Sequence, residues 1–187
     1  MRKLWKQDTI TDMNEFNYCP ECASKNVAYD GIKWVCSDCG YCLYNNIAAA
    51  VGLLLTVNGK ILLFRRTKNP GKDKLGIPGG FVSPDESMEE ACRRECREEI
   101  GIEVQELSYL CSCPNTYPYK NIVYKTCDVF FSAEYHGTAE ELLSSIKTVD
   151  GEAADCMLAD LNKLDLENLA FYSSRYAISV LKKKKGL

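Results

Sequence analysis

Gly80-Phe81-Val82-Ser83-Pro84-Asp85-Glu86-Ser87-Met88-Glu89-Glu90-Ala91-Cys92-Arg93-Arg94-Glu95-Cys96-Arg97-Glu98-Glu99-Ile100-Gly101-Ile102 spells out a helix together with its start and stop. Ser83 suits the N-cap, Pro84 the first helical position and Glu86 the third residue of a capping box, which predicts a helix over 86–100. Gly101 then ends it. Six glutamates and three arginines fall within 86–100, a density that ordinarily means a solvated, salt-bridged face. Spacing argues otherwise for three of the acids. Glu95, Glu98 and Glu99 stand at i, i+3 and i+4, within about 100° of one another around the helix. Met88, Ala91 and Cys92 share that arc, and Cys96 and Ile100 lie beside it. The three carboxylates therefore adjoin the side that packs on the core. There they repel one another and lose hydration, at a cost of several kcal/mol unless something positive is present. A divalent cation meets that need, and all-oxygen ligation favours Mg²⁺ or Mn²⁺.

Outward from the helix, strands and turns alternate. Upstream, the apolar run Ile47 to Val57, the hairpin turn Asn58-Gly59 and Lys60 to Arg66 predict two paired strands. Leu75-Gly76-Ile77-Pro78-Gly79-Gly80-Phe81 is a glycine-rich turn leading into the helix. Downstream, strands are expected at Val104 to Cys111, Ile122 to Ala133 and Ala154 to Leu158. A last amphipathic helix is expected from Glu167 to Lys183, with Leu169, Tyr172, Tyr176, Ile178 and Val180 as candidates for burial. The pattern is α/β.

The N-terminal part has a different character. Cys19-Pro-Glu-Cys22 and Cys36-Ser-Asp-Cys39 are two Cys-x-x-Cys pairs with thirteen residues between them. Val27-Ala28-Tyr29, Asp30-Gly31 and Ile32-Lys33-Trp34-Val35 read as a hairpin with a type I′ turn that returns the second pair to the first. Four thiolates from two tight turns suit a tetrahedral Zn²⁺, and so small a module gains much of its folding free energy from the metal. Two disulfides or four buried thiols are the alternatives. Cys42 lies close enough in sequence to compete as a ligand. The division expected is 1–43 for this segment and 44–187 for the main domain.

The 187 residues carry 23 Lys+Arg and 26 Asp+Glu, a net charge of −3. Such a balance argues against a protein that coats nucleic acid with basic side chains. The first residues lack the apolar core of a signal peptide and no stretch is long and apolar enough to span a membrane, so a cytoplasmic location is expected. In a reducing compartment the 11 cysteines read as metal ligands and small apolar fillers before they read as disulfides. Cys42, Cys92, Cys111, Cys113, Cys127 and Cys156 are the expected fillers, partly buried and reduced.

The motif is also recognisable. Gly80, five residues, Glu86, seven residues, Arg94-Glu95, apolar Cys96, one residue, Glu98-Glu99, one residue, Gly101 and Ile102 match every specified position of the Nudix box, with a chance probability on the order of 10⁻⁹ per starting position. The region from Ile47 onward thus resembles the Nudix αβα sandwich with a mixed β-sheet, preceded by a module similar to a zinc ribbon. The resemblance implies hydrolysis of a nucleoside diphosphate linked to another moiety, by in-line attack of water on one phosphorus of the pyrophosphate. It implies that Glu95, Glu98 and Glu99 bind the metals and that Glu86 and Arg94 brace the loop-helix-loop. Gly79 and Gly80 would permit the turns beside the substrate. A further metal-binding carboxylate is expected from the later loop, Glu152 ahead of Asp150.

A zinc ribbon before a Nudix domain is similar to the arrangement in NADH pyrophosphatases. Their signature after the box is matched here in Ser112, Pro114 and Pro118, with Tyr117 replacing Phe. Gln, Trp, the middle Pro and the final Ser are absent. Tyr117 and Tyr119 are the candidates for stacking on a base. NADH and ADP-ribose are thus the substrates expected, with a dinucleoside polyphosphate, a nucleotide sugar or NAD-capped RNA as further possibilities. The partner is a small nucleotide rather than a nucleic acid or a membrane, and a homodimer is expected. The competing class is a nucleotide-sensing regulator whose ribbon contacts a partner.

Overall fold

A computed structural model describes residues 16–120, 122–147 and 153–187. The chain forms two compact units: the N-terminal part through Asn46 with Lys120–Val123, and Ile47–Tyr119 with Tyr124–Leu187.

In the first unit, β1 (Val27–Tyr29), β2 (Lys33–Cys36) and β3 (Cys42–Tyr44) form an antiparallel sheet in the order β1-β2-β3. The β1–β2 turn differs from the expected type I′. Asp30 N–H donates to the Lys33 carbonyl, so Gly31 and Ile32 are the central residues, and only Gly31 has positive φ. That is the pattern of a II′ turn, which needs glycine at the first central position alone. Asp30 contributes through its carboxylate, which accepts from the Ile32 and Lys33 N–H groups. Trp34 is buried, with Tyr29 stacked on it at 4.6 Å and Phe16 edge-on at 4.9 Å.

The second unit is built on β4 (Ala48–Val57), β5 (Lys60–Arg66), β6 (Leu75–Gly76), β7 (Ser108–Tyr119) and β8 (Ile122–Glu134), in the order β6-β5-β4-β8-β7. A further strand, β9 (Ala153–Asp160), pairs with β5. β4 and β8 run parallel and β5 pairs antiparallel with its neighbours, so the sheet is mixed. Period-two alternation on β4 sends Val51, Leu53, Leu55 and Val57 to one core, shared with Ala91, Cys92, Cys96 and Ile100 of α1 (Met88–Ile100) and with Leu142 of α2 (Ala139–Ser145). Leu54 faces the other core, with Phe130 and with Ala177, Ile178 and Leu181 of α3 (Tyr172–Lys184). Helices thus cover both faces, the sandwich expected.

Local differences from the sequence reading have physical causes. α1 begins at Met88, capped by Ser87, whose side chain accepts from Glu90 N–H while the Glu90 side chain returns to Ser87 N–H. Ser83 is not the cap: Asp85 adopts positive φ and breaks the path, and Glu86 turns back to accept from Ser83 N–H at 2.6 Å. β7 runs on through Pro114 and Pro118 to Tyr119 instead of ending at Cys111. It is an edge strand, and two prolines of the same parity leave their missing N–H groups on one side of it. The last helix starts at Tyr172 after a 3₁₀ turn at Leu166–Asn168. Ser173, Ser174, Ala177, Ile178 and Leu181 share the face that packs on the core, and Tyr172 and Tyr176, expected to be buried, fall at its edge and are exposed. Leu169 and Ile178 are buried as expected. α2, capped by Thr138 and Glu141, was absent from the sequence reading.

Replacing Ser87 with Ala is expected to cost about 1 kcal/mol in urea unfolding, while Ser83→Ala stays within about 0.5 kcal/mol of the parent. Equal losses at both positions would contradict the observed cap.

Candidate active site and metal centre

β4 and β5 pair only at their hairpin, through Thr56↔Ile61 and Val57↔Lys60. Beyond it the glycine-rich segment bonds to β4: Val51 N–H donates to the Gly80 carbonyl, Leu53 N–H to Pro78, and Val82 N–H to Ala49. This seats Gly79 and Gly80 against the strand with no room for side chains. A Cβ on Gly79, whose φ is +150°, would lie 2.1 Å from the Val51 carbonyl oxygen, and one on Gly80 would lie 2.4 Å from Glu95 Oε1. Gly79 N–H donates to Glu99 Oε2 at 2.8 Å. The two glycines therefore bring the helix acids against a backbone edge.

Arg94 ties these parts together. Its guanidinium donates to both oxygens of Glu86 (3.1 and 2.7 Å), to Glu95 (2.8 Å), to Glu98 (3.0 Å) and to the Phe81 carbonyl (3.0 Å). Those hydrogen bonds, with one from Ser83 N–H, hold the Glu86 carboxyl down at about 2, from 4.5. The same contacts raise Arg94 further, against the opposing effect of burial. Glu95 behaves in the opposite way, because burial pushes its carboxyl above the ordinary range despite Arg94. Cys96, in the same helix, is buried, and its thiol is pushed up first by a hydrogen bond with Cys92 and then by burial. It is an apolar filler, as read from the sequence.

A cavity of about 410 Å³ opens beside the acids. Of the residues predicted from sequence, Gly79, Gly80, Arg94, Glu95, Glu99 and Tyr117 line it. Tyr119, on β7 and exposed, is not among the lining residues. Nor is Glu98, half-exposed on the helix and held by Arg94. Glu152 and Asp150 lie outside the described residues. Arg66, Asn115, Thr126, Asp128, Phe171 and Ser173 also line the cavity and were missed. A signal for one of them was present, Asp128 directly before the apolar run Val129-Phe130-Phe131 in a predicted strand.

Among the described residues, the carboxylates of Glu95, Glu98 and Glu99 do not form a set with oxygens all within 4.8 Å of one another. Arg94 bridges Glu95 and Glu98, while Glu99 is engaged by Gly79. The donor set is nonetheless all oxygen, on one helix face, with two members at the cavity wall, which fits Mg²⁺ or Mn²⁺ once Arg94 yields part of its hold.

The comparisons with known proteins agree with this architecture. The family model described as NUDIX domain matches residues 46–178. The chain belongs to the Nudix family. An ADP-ribose pyrophosphatase from Methanocaldococcus jannaschii is 32% identical over 148 residues, which cover 78% of this chain and 80% of that protein. The NAD-capped RNA hydrolase NudC of Chromobacterium violaceum is 30% identical over 148 residues, covering 79% of this chain and 51% of that protein. The chain thus spans about half the length of that NudC relative. A NUDIX hydrolase from Nitrosomonas europaea shares the fold, with a TM-score of 0.62 at 18% identity, covering 90% of this chain and 93% of that one.

The unit that precedes the Nudix domain holds the second candidate centre. The sulfurs of Cys19, Cys22, Cys36 and Cys39 all lie within 4.8 Å of one another, and Cys19–Cys39 and Cys22–Cys36 are each separated by 3.7 Å. A tetrahedral zinc with Zn–S near 2.3 Å requires sulfurs about 3.8 Å apart, so the set fits Zn²⁺. All four thiols are free in this structure. Each pair sits in the same turn: Ala23 N–H donates to the Cys19 carbonyl and Gly40 N–H to Cys36, with positive φ at both Ala23 and Gly40. The N–H groups of Cys39 and Asp38 lower the Cys36 thiol to about 7. Cys42 lies outside the cluster and is exposed, so it is neither a ligand nor a buried filler. Cys92, Cys111 and Cys113 are buried and Cys127 and Cys156 half-buried. Among the described residues no helix is long and apolar enough to cross a membrane.

The depressed Glu86 carboxyl sets a pH signature for the Nudix helix. A folded-state pKa below the unfolded one stabilises fully above the unfolded value and is lost as pH falls toward the folded value, here from 4.5 toward about 2. The gap in thermal midpoint between wild type and Glu86→Gln is expected to be constant above about pH 5.5 and to close on acidification. A gap that grows or stays level down to pH 2.5 would exclude the Glu86–Arg94 pair as its source.

Proposed function

We propose that the chain is a metal-dependent hydrolase of a nucleoside diphosphate linked to a second moiety, NADH and ADP-ribose being the preferred candidates. The observation that carries this reading is the joint exposure of Glu95, Glu99, Arg94 and the Gly79-Gly80 backbone to one cavity of about 410 Å³, a size suited to a bound small molecule. Relatives named ADP-ribose pyrophosphatase and NAD-capped RNA hydrolase support it. The domain division that goes with it is a zinc ribbon at 1–43 and a Nudix hydrolase domain at 44–187. The partner is a small nucleotide, the assembly a homodimer and the setting the cytoplasm.

In this reading Glu95, Glu98 and Glu99 hold Mg²⁺ or Mn²⁺, with Glu152 supplying a further carboxylate. A metal held there would supply a lowered pKa for the attacking water and positive charge against the leaving phosphate. Water's oxygen joins one phosphorus, the bond from that phosphorus to the bridging oxygen breaks, and two monophosphates leave. Arg94 and Glu86 are positioning residues: their ion pair ties the start of the loop to the helix while Arg94 orients Glu95 and Glu98. Tyr117 offers an aromatic face to the substrate, with Phe81 edge-on at 5.4 Å keeping its ring in place. Tyr119 is retained as a second stacking candidate at the end of the same strand. The cysteine set holds a structural Zn²⁺.

Turnover with Mg²⁺ or Mn²⁺ is to be measured against NADH, NAD⁺, ADP-ribose, diadenosine polyphosphates, nucleotide sugars, nucleoside triphosphates and NAD-capped RNA. Glu99→Gln, which keeps an acceptor for Gly79, is expected to lower kcat by about a hundredfold or more. No turnover of any compound, or full activity in the variant, would overturn the catalytic assignment. For the ribbon, atomic absorption is expected to find one zinc per chain. In a Trp5→Phe background a strong chelator should release the metal and alter Trp34 fluorescence; an unchanged signal after complete zinc removal would contradict a structural role.

A further inference from the structure

The inner part of the Nudix cavity contains polar groups that the proposed hydrolysis does not use. Alternation on β8 turns Thr126, Asp128 and Phe130 to the cavity, and Asn115 and Tyr117 of β7 face it too. Beside them in the sheet, β4 places Ala50 next to Asp128 and Gly52 next to Phe130, whose ring fills the space over the glycine, where a Cβ would lie 2.8 Å from it.

Asp128 is 8% exposed. One of its oxygens accepts from the Thr126 hydroxyl at 2.6 Å and the other from the Asn115 amide at 2.9 Å. A carboxylate offers about four acceptor sites, and among the described residues no cation pairs with this one. The start of α3 lines the same cavity. Its N-cap is Phe171, which provides no side-chain hydrogen bond to the first turn. Ser173 in that turn lines the cavity, is 0% exposed, and its hydroxyl has no hydrogen-bond partner among the described residues. A buried hydroxyl left unpaired is destabilising, and an acceptor on a ligand in the cavity would satisfy it. The cavity therefore presents spare acceptor capacity at Asp128, a spare donor at Ser173, and aromatic rings at its wall, with Tyr117 and Phe171 5.5 Å apart.

We propose that Asp128 and Ser173 form a specificity subsite for a planar heteroaromatic ring bearing an N–H₂ donor beside an acceptor, Asp128 accepting from the amino group and Ser173 donating to its neighbour. The inference rests on the nucleotide reading above and names the part of the substrate that the cavity selects. Two moieties of the candidate substrates have this edge: adenine, through its amino group and adjacent ring nitrogen, and nicotinamide, through its carboxamide. Replacing the amino group by oxygen turns a donor toward Asp128 into an acceptor, so the oxo or carboxylate counterpart is rejected.

The test is equilibrium binding, by calorimetry on the full chain with Mg²⁺, of mononucleotides that have no pyrophosphate to cleave. AMP is compared with IMP, and nicotinamide mononucleotide with nicotinate mononucleotide. At least one pair is expected to favour the amino or amide member by about tenfold or more, and the pair that does so identifies the moiety. Asp128→Asn is expected to bring that ratio to within about threefold, and Ser173→Ala to weaken the preferred member, each with an unchanged circular dichroism spectrum. The proposal is overturned if neither pair discriminates, if none of the four binds, if the nicotinate form binds tighter, or if the preference survives in Asp128→Asn. Turnover of NADH and ADP-ribose, measured separately, tests the hydrolase reading itself: turnover without discrimination sinks only the subsite.

Discussion

The site depends on one side chain, Arg94, whose five donors are shared among three carboxylates and a backbone carbonyl. Without it, Glu86, Glu95 and Glu98 would place like charges at the margin of a core, where hydration is reduced and repulsion is strong. The guanidinium plane suits this task because it holds Glu86 with two hydrogen bonds and still reaches the neighbouring acids. Its bond to Phe81 links the helix to the end of the glycine segment. Arg94 also stands in the way of a metal, since it occupies oxygens of Glu95 and Glu98. A cation held by these acids, as proposed, would compete with an arginine already anchored by Glu86, so Arg94 could yield those two acids without losing its place.

The divergence of β4 and β5 explains why the acids meet a backbone edge at all. Had the two strands paired along their length, the β4 groups that bond to Pro78 and Gly80 would have been taken by β5. β5 instead pairs with β6 and β9. The freed edge of β4 accepts the glycine segment, and Gly79 turns its N–H to Glu99. On the other side of β4 the parallel partner β8 brings Asp128 and Phe130 beside Ala50 and Gly52, so the strand that seats the acids also borders the β8 residues that line the cavity.

Much of this was legible in the sequence because local chemistry and tertiary context agree. Asn58-Gly59 is a hairpin turn with positive φ at both residues, as its composition requires. The spacing of the four cysteines announced their convergence, and the acids at 95, 98 and 99 announced a helix face at the core margin. The misreadings came where context decides. Ser83-Pro84 has the composition of a helix start, but the capping box at Ser87 and Glu90 is equally good and lies one turn later. Pro114 and Pro118 looked like the end of a strand because edge position is a property of the sheet. Asn115, Asp128 and Ser173 come from three elements, and only the topology puts them around one space.

The arrangement of the acids is determined by the scaffold rather than by the acids themselves. α1 is fixed at its start by the reciprocal Ser87–Glu90 cap and at its end by Gly101 in the left-handed region, whose N–H reaches the Arg97 and Cys96 carbonyls. Between those ends Ala91, Cys92, Cys96 and Ile100 are buried in the core that β4 shares. With both ends and the buried face specified, the rotation of the helix is settled, since a one-residue slip would turn its apolar face by about 100°. Glu95 and Glu99 then reach the cavity and Glu98 stays half in solvent because of their phase relative to those buried residues. Cys96 fits this scheme: a thiol is small enough to pack between Glu95 and the sheet core, and with its ionisation suppressed by burial and by Cys92 it adds no charge beside the carboxylates.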